Sequence, residues 1–202
     1  MQKFVIRYLG LQSWILVSNA MHHFTEKRHS KTTDELWLVE HFPIFTQGKA
    51  EKNNNQIIID NIAVLQTDRG GKITYHGPGQ LIIYIMIDLK RRKISVRQLL
   101  TIIEQSVIDT LKYFNLEAYI RRNAPGVYID NKKICSLGLR IKKGCSLHGF
   151  ALNINMDLSP FRLINPCGLA DLKMTQLSDF KPDITVLDVY PILIKKFVSH
   201  FY

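Results

Sequence analysis

The strongest constraint on the fold is a well-marked helix that is followed by several short segments of strand character, each bounded by turn residues. Ser95 and Gln98 have the spacing of a capping box, and apolar residues recur after them at helical intervals: Leu99, Ile103, Val107, Leu111 and Phe114. The strand candidates that follow span residues 117–121, 126–129, 133–141 and 146–153. Because Asn131 tolerates the left-handed conformations of tight turns, residues 130–132 predict a hairpin. We therefore expect antiparallel strand pairing beside a long helix.

The first half of the chain also alternates helix and strand signals. Apolar spacing predicts a helix from about Gln12 to Lys27, and residues 36–41 and 62–66 are typical of strands. Residues 72–75 and 81–89 flank a Gly-Pro-Gly turn, which predicts a second hairpin. A last helix is predicted over residues 186–201, bent or started by Pro191. The 202 residues are expected to form one domain, residues 1–202, of the α/β or α+β class with a mixed β-sheet.

Composition and charge restrict the location and the kind of partner. The longest apolar run, Leu81–Ile87, is too short for a membrane span, and the N-terminus lacks the pattern of a signal peptide. Three cysteines at irregular spacing do not suggest a disulfide framework, so a cytoplasmic location is expected. The net charge of +10, with basic clusters at residues 90–93, 121–122 and 142–143, favours an acidic partner. Because the sequence carries no nucleic-acid-binding motif, an acidic protein or a merely solvated basic surface explains this charge equally well.

A glycine-rich stretch runs from Arg69 to Gln80 and begins with the pair Gly70-Gly71. Paired glycines let a ligand approach the backbone closely, because no Cβ atom stands in the way. A phosphate-binding loop is not indicated, since the Lys-Ser/Thr ending and the helix start are both missing. A ligand-contacting loop and a simple turn before a hairpin both remain possible at this point.

The segment Lys133 to Gly138 contains a lysine and a cysteine on a predicted strand. A regular strand places Lys133 and Cys135 on one face and Ser136 on the other. Lys133 is either an exposed charge at a sheet edge or a functional amine that is buried within the protein.

A second cysteine lies in the segment Asn165-Pro166-Cys167-Gly168. The proline and the glycine favour a turn on which the Cys167 thiol would be accessible as a nucleophile. A small buried cysteine beside a turn is the alternative. His76 and His148 are candidate partners of a thiol, and no motif with the spacing of metal ligands is found.

Taken together, these segments resemble the lipoyl(octanoyl) transferase family. Arg-Gly-Gly-x-x-Thr-Tyr-His, residues 69–76, is the most specific of the motifs, and the resemblance covers most of the chain. The segments occur in the order of the family: Trp37-Leu38-Val39-Glu40-His41, Thr46-Gln47-Gly48, Arg69 to Gln80, Lys133 to Gly138, His148-Gly149-Phe150-Ala151-Leu152-Asn153 and Pro166-Cys167-Gly168.

The resemblance implies a fold similar to biotin and lipoate protein ligases, with a larger mixed sheet, a smaller sheet and packed helices. It implies transfer of an octanoyl group from octanoyl-acyl carrier protein to a lysine on lipoyl domains of 2-oxoacid dehydrogenase complexes and on the glycine-cleavage H protein. No cofactor, metal, nucleic acid or membrane is expected. The basic residues Arg91 and Arg92 are expected to dock the acidic carrier protein.

The resemblance also implies roles for particular residues. Cys167 is expected to carry the acyl group, and Lys133 is expected to control the protonation of its thiol. The expected substrate-binding residues are Arg69, Gly70, Gly71, Lys72, Ile73, Thr74, Tyr75, His76, Ser136, Leu137, Gly138, Gly149, Phe150 and Ala151. The rival functions are an ATP-dependent ligase of similar fold, a cysteine hydrolase and a nucleic-acid-binding domain without catalytic activity.

Overall fold

The computed structural model describes residues 4–50, 58–122, 124–165 and 172–202, and within these ranges it contains two β-sheets and four α-helices. No helix in these ranges is both long and apolar enough to cross a membrane. In chain order the elements are β1 (Phe4–Gln12), α1 (Trp14–Lys27), β2 (Asp34–His41), β3 (Ile44–Gln47), β4 (Ile58–Ile59), β5 (Ile62–Gln66), β6 (Thr74–His76), β7 (Gln80–Met86), α2 (Leu89–Arg92), α3 (Val96–Tyr113), β8 (Tyr119–Ile120), β9 (Val127–Ile129), β10 (Lys132–Lys142), β11 (Cys145–Asn153) and α4 (Val186–Ser199).

The larger sheet has seven strands in the order β1-β2-β7-β11-β10-β9-β8, and the smaller has four in the order β4-β5-β3-β6. The outer pair β1–β2 of the larger sheet is parallel and its other pairs are antiparallel. In the smaller sheet, β3 runs parallel to β5 and antiparallel to β6. This architecture confirms the predicted mixed α/β fold with a second, smaller sheet.

Strand alternation divides the core between the two faces of the larger sheet. Leu36 and Leu38 of β2 lie in one apolar cluster with residues of α3 and α4. Trp37 and Val39, the alternate residues, lie in a second cluster with Met21 of α1. Because successive side chains of a strand point to opposite faces, β2 can be buried on both sides. Helix α1 therefore covers the face opposite to α3 and α4.

The predicted hairpin at 130–132 and the capped helix are both confirmed. Asp130 and Asn131 have φ angles of 45° and 64°, and β9 and β10 pair on either side of them. Ser95 accepts from the backbone N–H of Gln98 while the Gln98 side chain reciprocates, so α3 begins with the expected capping box.

The hairpin predicted around Gly77-Pro78-Gly79 is wrong. Strand β6 pairs with β3 in the smaller sheet, whereas β7 pairs with β2 and β11 in the larger one. A Cβ atom on Gly79, whose φ is 82°, would lie 1.9 Å from the carbonyl oxygen of Asn155. The turn therefore carries the chain between the two sheets at a point of close backbone contact.

Within the basic cluster at residues 90–93, Lys90 and Lys93 are exposed, but Arg91 and Arg92 are not the free surface charges that were expected. The side chains of Arg91 and Arg92 are only 19% and 6% exposed, and both contact the buried carboxylate of Asp34. Arg28 also pairs with Asp34, with an N–O distance of 2.8 Å. The expectation that Arg91 and Arg92 dock the carrier protein is therefore corrected. These arginines form ion pairs that hold α2 against the start of β2.

Candidate active site

A cleft opens where the glycine-rich segment before β7 passes over β7, β10 and β11. It encloses about 560 Å³ of empty space, including its mouth. Its lining is mostly apolar and comes from distant parts of the chain: Trp14, Arg69, Gly71, Lys72, Ile73, Thr74, His76, Ile82, Tyr84, Ser136, Leu137, Gly138, His148, Gly149, Phe150 and Ala151.

Arg69 holds the glycine-rich segment in place over the cleft. Its guanidinium donates to the backbone oxygens of Thr46 at 2.6 Å and of Gly70 at 2.9 Å. The N–H of Gly70 donates to the carbonyl of Leu139 on β10 at 3.0 Å. A Cβ atom on Gly48 would lie 2.2 Å from the oxygen of Gly71, so the close approach of these two segments requires glycine.

Of the substrate-binding residues expected from the resemblance, all except Gly70 and Tyr75 line this cleft. Tyr75 points the other way and packs between Phe45 and Phe161, because it alternates with Thr74 and His76 along β6. The geometry thus brings three separate segments to one cavity, and the binding roles of their residues stay predictions.

Trp14, Ile82 and Tyr84 also line the cleft, and motif reasoning missed them. The hydroxyl of Tyr84 lies 2.8 Å from Nε2 of His41, whose Nδ1 lies 2.9 Å from the carbonyl oxygen of Gln12. His41 therefore donates through Nδ1 and accepts from Tyr84 through Nε2, as a neutral ring. Burial raises the pKa of Tyr84. The sequence indicated the Tyr84–His41 hydrogen bond only through the presence of a polar tyrosine hydroxyl inside the apolar run of β7.

The neutral His41 ring predicts a pH dependence of stability. Burial lowers the pKa of His41 from 6.5 to about 4, so below pH 6.5 the unfolded chain binds more protons at this ring than the folded one. The free energy of unfolding then falls as the pH is lowered from 6.5 towards 4. We expect His41→Gln to reduce the loss of stability between pH 7 and pH 4.5 by about 2 kcal/mol, measured by urea unfolding.

His23→Gln, at an exposed ring on α1, is the matched control. The free energy of unfolding of His23→Gln should fall with decreasing pH in parallel with that of the wild type. His76 and His148 are unchanged in all three proteins, so their contributions cancel in the comparison. A decline in His41→Gln equal to that of the wild type would contradict the assignment of a neutral buried ring.

Asp68 is the centre of a charged cluster that includes His148, one of the residues that line the cleft. Its carboxylate contacts Arg140 and His148 and lies 2.9 Å from Nε2 of His22. Burial acts to raise the pKa of Asp68, but the hydrogen bonds from His148 and His22 outweigh it and lower that pKa. The ligand atoms of His22, Asp68 and His148 are close enough to hold a metal ion. Since the Arg140 guanidinium already neutralises Asp68, the arrangement favours an ion-pair cluster.

Lys133 is buried near the start of β10, with 1% of its surface exposed. The alternative of an exposed edge charge is therefore wrong. Its backbone N–H donates to Lys173 at 2.8 Å, and its carbonyl accepts from the N–H of Thr175 at 3.0 Å. Its Nζ lies 5.6 Å from the ring centre of Tyr128. The segment that follows Cys167 in sequence thus runs beside this lysine.

The expectation that Lys133 and Cys135 share a face is also wrong. Lys133 pairs with Tyr128, and Cys135 pairs with Val127, the adjacent residue of β9. Two residues of β10 therefore advance against one of β9, and this bulge interrupts the alternation of β10. Cys135 consequently points into the main apolar cluster with Val127. The bulge returns Lys133 to the face of Ser136, which lines the cleft.

Two of the three cysteines are poor candidates for a nucleophile. Cys135 and Cys145 are buried, and burial raises the pKa of each thiol. Cys167, together with Pro166 and Gly168, lies outside the described residues. Ile164, which precedes it in the sequence, and Met174, which follows it, pack against the same apolar cluster.

The comparison with known proteins decides the family. The lipoyl protein ligase A/B catalytic domain matches residues 16–198. The chain belongs to the lipoyl protein ligase A/B catalytic-domain family. An octanoyltransferase of Erwinia tasmaniensis is 59% identical over 196 residues, covering 97% of this chain and 88% of the relative. An octanoyltransferase of Yersinia pseudotuberculosis is 57% identical over 195 residues, covering 96% and 84%. These relatives confirm the predicted family and make the chain an acyltransferase.

Solved structures of a lipoate-protein ligase and of a biotin protein ligase share the fold of this chain. A crystal structure of lipoate-protein ligase A bound with ATP superposes with a TM-score of 0.81 at 16% identity, covering 98% of this chain and 85% of the other. A biotin protein ligase from Aquifex aeolicus in complex with biotin and ATP gives a TM-score of 0.61 at 13% identity, covering 100% and 71%. At such low identities the likeness shows the fold alone, and it confirms the predicted biotin/lipoate protein ligase-like architecture.

Proposed function

We propose that this acyltransferase moves an octanoyl group from octanoyl-acyl carrier protein to a lysine of lipoyl domains, through a thioester on Cys167. Residues 1–202 form the catalytic domain. The observation that carries the proposal is the position of Lys133: it is a buried lysine on the strand that lines the cleft, and the segment following Cys167 is hydrogen-bonded to its backbone. The family relatives, which are octanoyltransferases, support the choice of acyl group.

In the first half-reaction, the Cys167 thiol gives its proton to the Lys133 amine. The thiolate then attacks the thioester carbonyl of the donor, and the bond to the pantetheine sulfur breaks. Lys133 gives that proton to the departing pantetheine thiolate, which leaves as the thiol. The products are the octanoyl thioester of Cys167 and the free carrier protein.

In the second half-reaction, the amine of the acceptor lysine attacks the thioester carbonyl on Cys167. Lys133 accepts a proton from that amine as the amide bond forms. The Cys167 sulfur departs as a thiolate and takes that proton from Lys133, which restores both the thiol and the neutral amine.

The cleft is suited to an alkyl chain because apolar side chains dominate its lining, among them Ile82 and Ala151. Burying an octanoyl tail at about 0.8 kcal/mol per methylene contributes roughly 5 kcal/mol, which is enough to favour medium chains over short ones. The basic net charge of +10 favours encounter with an acidic carrier protein. The acceptors proposed are the lipoyl domains of 2-oxoacid dehydrogenase complexes and the glycine-cleavage H protein.

A transfer assay without nucleotide tests this function against the ATP-dependent ligases that share the fold. The purified chain is mixed with octanoyl-acyl carrier protein and a lipoyl domain, and the mass of the lipoyl domain is followed. We expect the lipoyl domain to gain one octanoyl group without ATP and to gain none from free octanoate. Modification that requires ATP and free octanoate would contradict the proposal, and release of octanoate without an acceptor would indicate a hydrolase.

A further inference from the structure

Asp68 comes directly before the glycine-rich segment, and its carboxylate contacts three other elements of the fold. Nε2 of His22 on α1 lies 2.9 Å from one carboxylate oxygen, which Arg140 of β10 also contacts. The other oxygen contacts Nε2 of His148 on β11. One side chain therefore connects the start of the glycine-rich segment with a helix and with two strands of the larger sheet.

The glycine-rich segment is also attached to β3 and the residues that follow it. The carbonyl of Arg69 accepts from the N–H of Lys49 at 3.0 Å, and the Arg69 guanidinium donates to the carbonyl of Thr46 at 2.6 Å. On the side of the larger sheet, the segment is held by the bond from Gly70 to the carbonyl of Leu139 and by the carboxylate contacts. Because the cleft lies between the segment and the larger sheet, the contacts on this second side determine how closely the segment covers it.

The backbone of His148 is bent so that its ring reaches this carboxylate. Ala151 of β11 lies in the apolar cluster beneath α1, whereas Phe150 and Leu152 lie in the cluster with α3 and α4. Regular alternation would turn His148 to the same side as Phe150. Its φ angle is 58°, and its ring instead lies beside that of His22, with 5.7 Å between the ring centres. A left-handed conformation is uncommon for a residue with a side chain, and such strain is concentrated at functional sites.

The glycine-rich segment is costly to order, because its two glycines lose more backbone freedom on folding than other residues and have no side chains to pack. Residues 71–74 of this segment all line the cleft. When the segment is displaced, the cleft therefore lacks one of its walls. A site that is formed for only a fraction of the time binds its ligand with an affinity reduced by that fraction.

We propose that Asp68 is a positioning residue, which holds residues 69–74 against the larger sheet so that the cleft is formed before the acyl chain enters. Its carboxylate fits this role because it is only 23% exposed and is paired with side chains of β10 and β11, two strands that line the cleft. The inference rests on the proposed function, because it takes an acyl chain to be the ligand of the cleft.

The variant Asp68→Asn tests this role, because it keeps the shape of the side chain and removes its charge. Its amide also turns an NH₂ group towards side chains that donate hydrogen bonds, so at least one contact is lost. We expect KM for octanoyl-acyl carrier protein to rise about tenfold with kcat within about threefold, since a site that is formed less often binds ground state and transition state equally less well. In the free protein, hydrogen exchange of the amides of residues 69–74, followed by mass spectrometry, should accelerate about tenfold more than that of α3.

Arg140→Met removes one partner of the carboxylate and leaves Asp68 in place. We expect KM to rise in the same direction by a smaller factor. The double variant should have a KM within about twofold of that of Asp68→Asn, because both changes remove the same contact. If Asp68→Asn does not fold, Arg140→Met carries the same expectations for KM and for hydrogen exchange.

Glu35→Gln is the matched control. Glu35 on β2 is also a carboxylate with several partners, since it pairs with Arg7 at 2.6 Å and accepts from the Trp37 indole at 2.6 Å. It is not among the residues that line the cleft. KM, and the exchange of residues 69–74 relative to α3, should therefore equal those of the wild type even where stability falls.

A folded Asp68→Asn protein with KM within twofold of the wild type would overturn the proposal, as would a fall in kcat alone. Exchange of residues 69–74 that is no faster, relative to α3, than in the wild type would also overturn it. Hydrogen exchange needs neither the carrier protein nor an acceptor. A wild-type protein that transfers no octanoyl group would contradict the proposed function, while the exchange measurement would still decide whether Asp68 holds the segment.

Discussion

Replacing Lys133 by methionine is expected to lower the rate of octanoyl transfer by about 10²- to 10⁴-fold, the range typical of a lost general acid–base group. Methionine keeps an unbranched side chain that can fill the buried space, but it lacks the amine that exchanges protons with the thiol. The side chain of Lys133 passes so close to Gly126 that a Cβ there would lie 2.3 Å from its Cε atom, so a branched replacement would test packing instead. The measurement is kcat/KM for octanoyl transfer together with the thermal midpoint.

Lys132→Met is the control for this substitution. Lys132 is the exposed neighbour on the same strand, and its replacement should leave kcat/KM within about twofold, because it is not among the residues that line the cleft. A folded Lys133→Met protein that kept more than a tenth of the wild-type rate would contradict the role of the amine.

Replacing Asp34 by asparagine is expected to destabilise the protein by about 3–5 kcal/mol, because it leaves buried arginines without their counter-charge. Arg28, Arg91 and Arg92 all converge on this carboxylate. Among the described residues, Nε and Nη1 of Arg28 and Nη2 of Arg92 already have no hydrogen-bond partner. Asparagine preserves the shape and the acceptor for the N–H of Asp88, so the change isolates the charge. Urea unfolding at pH 7 measures the effect.

Asp109→Asn provides the comparison, since Asp109 lies on α3 in a half-exposed pair with His200 at 3.4 Å. A surface pair of this kind contributes at most about 1 kcal/mol. If Asp34→Asn were no more destabilising than Asp109→Asn, the ion pairs of Asp34 with Arg28, Arg91 and Arg92 would not stabilise the packing of α2 as their burial indicates.

Local signals in the sequence were sufficient for several elements of the fold. The capping box at Ser95 defines the start of α3 through contacts three residues apart, and Asn131 adopts the left-handed conformation that its hairpin needs. Such features depend on neighbours in sequence, so they can be predicted without knowing the partners in space.

Features that depend on distant partners were missed or mistaken. The Gly77-Pro78-Gly79 turn suits a hairpin as well as a crossing between sheets, and only the pairing of β6 with β3 decides between them. Strand β1 went unpredicted because it lies at the edge of the sheet and exposes several of its residues, which obscures the alternation. The bulge after Lys133 is likewise set by β9 and not by the local sequence.

In the candidate site, too, features set by local sequence could be predicted and features set by distant partners could not. Glycine pairs and the order of the motifs indicated which segments form the cleft. Asp68 contacts His148, which is 80 residues away, and Gln80 contacts Asn153, which is 73 residues away. Neither contact could be predicted from the neighbouring residues in the sequence. Side-chain direction, which separates Tyr75 from His76, became clear only with the register of β6.

The central claim is that Cys167 carries the acyl group, and intact-protein mass spectrometry after incubation with octanoyl-acyl carrier protein, without acceptor, tests it most directly. We expect the wild type to gain the mass of one octanoyl group, located on Cys167 by peptide mapping and removable by neutral hydroxylamine. Cys167→Ser should gain no thioester, whereas Cys135→Ala should be acylated like the wild type. An octanoyl group on Cys135 or Cys145, or a wild-type protein that transfers octanoate without any such adduct, would contradict the account.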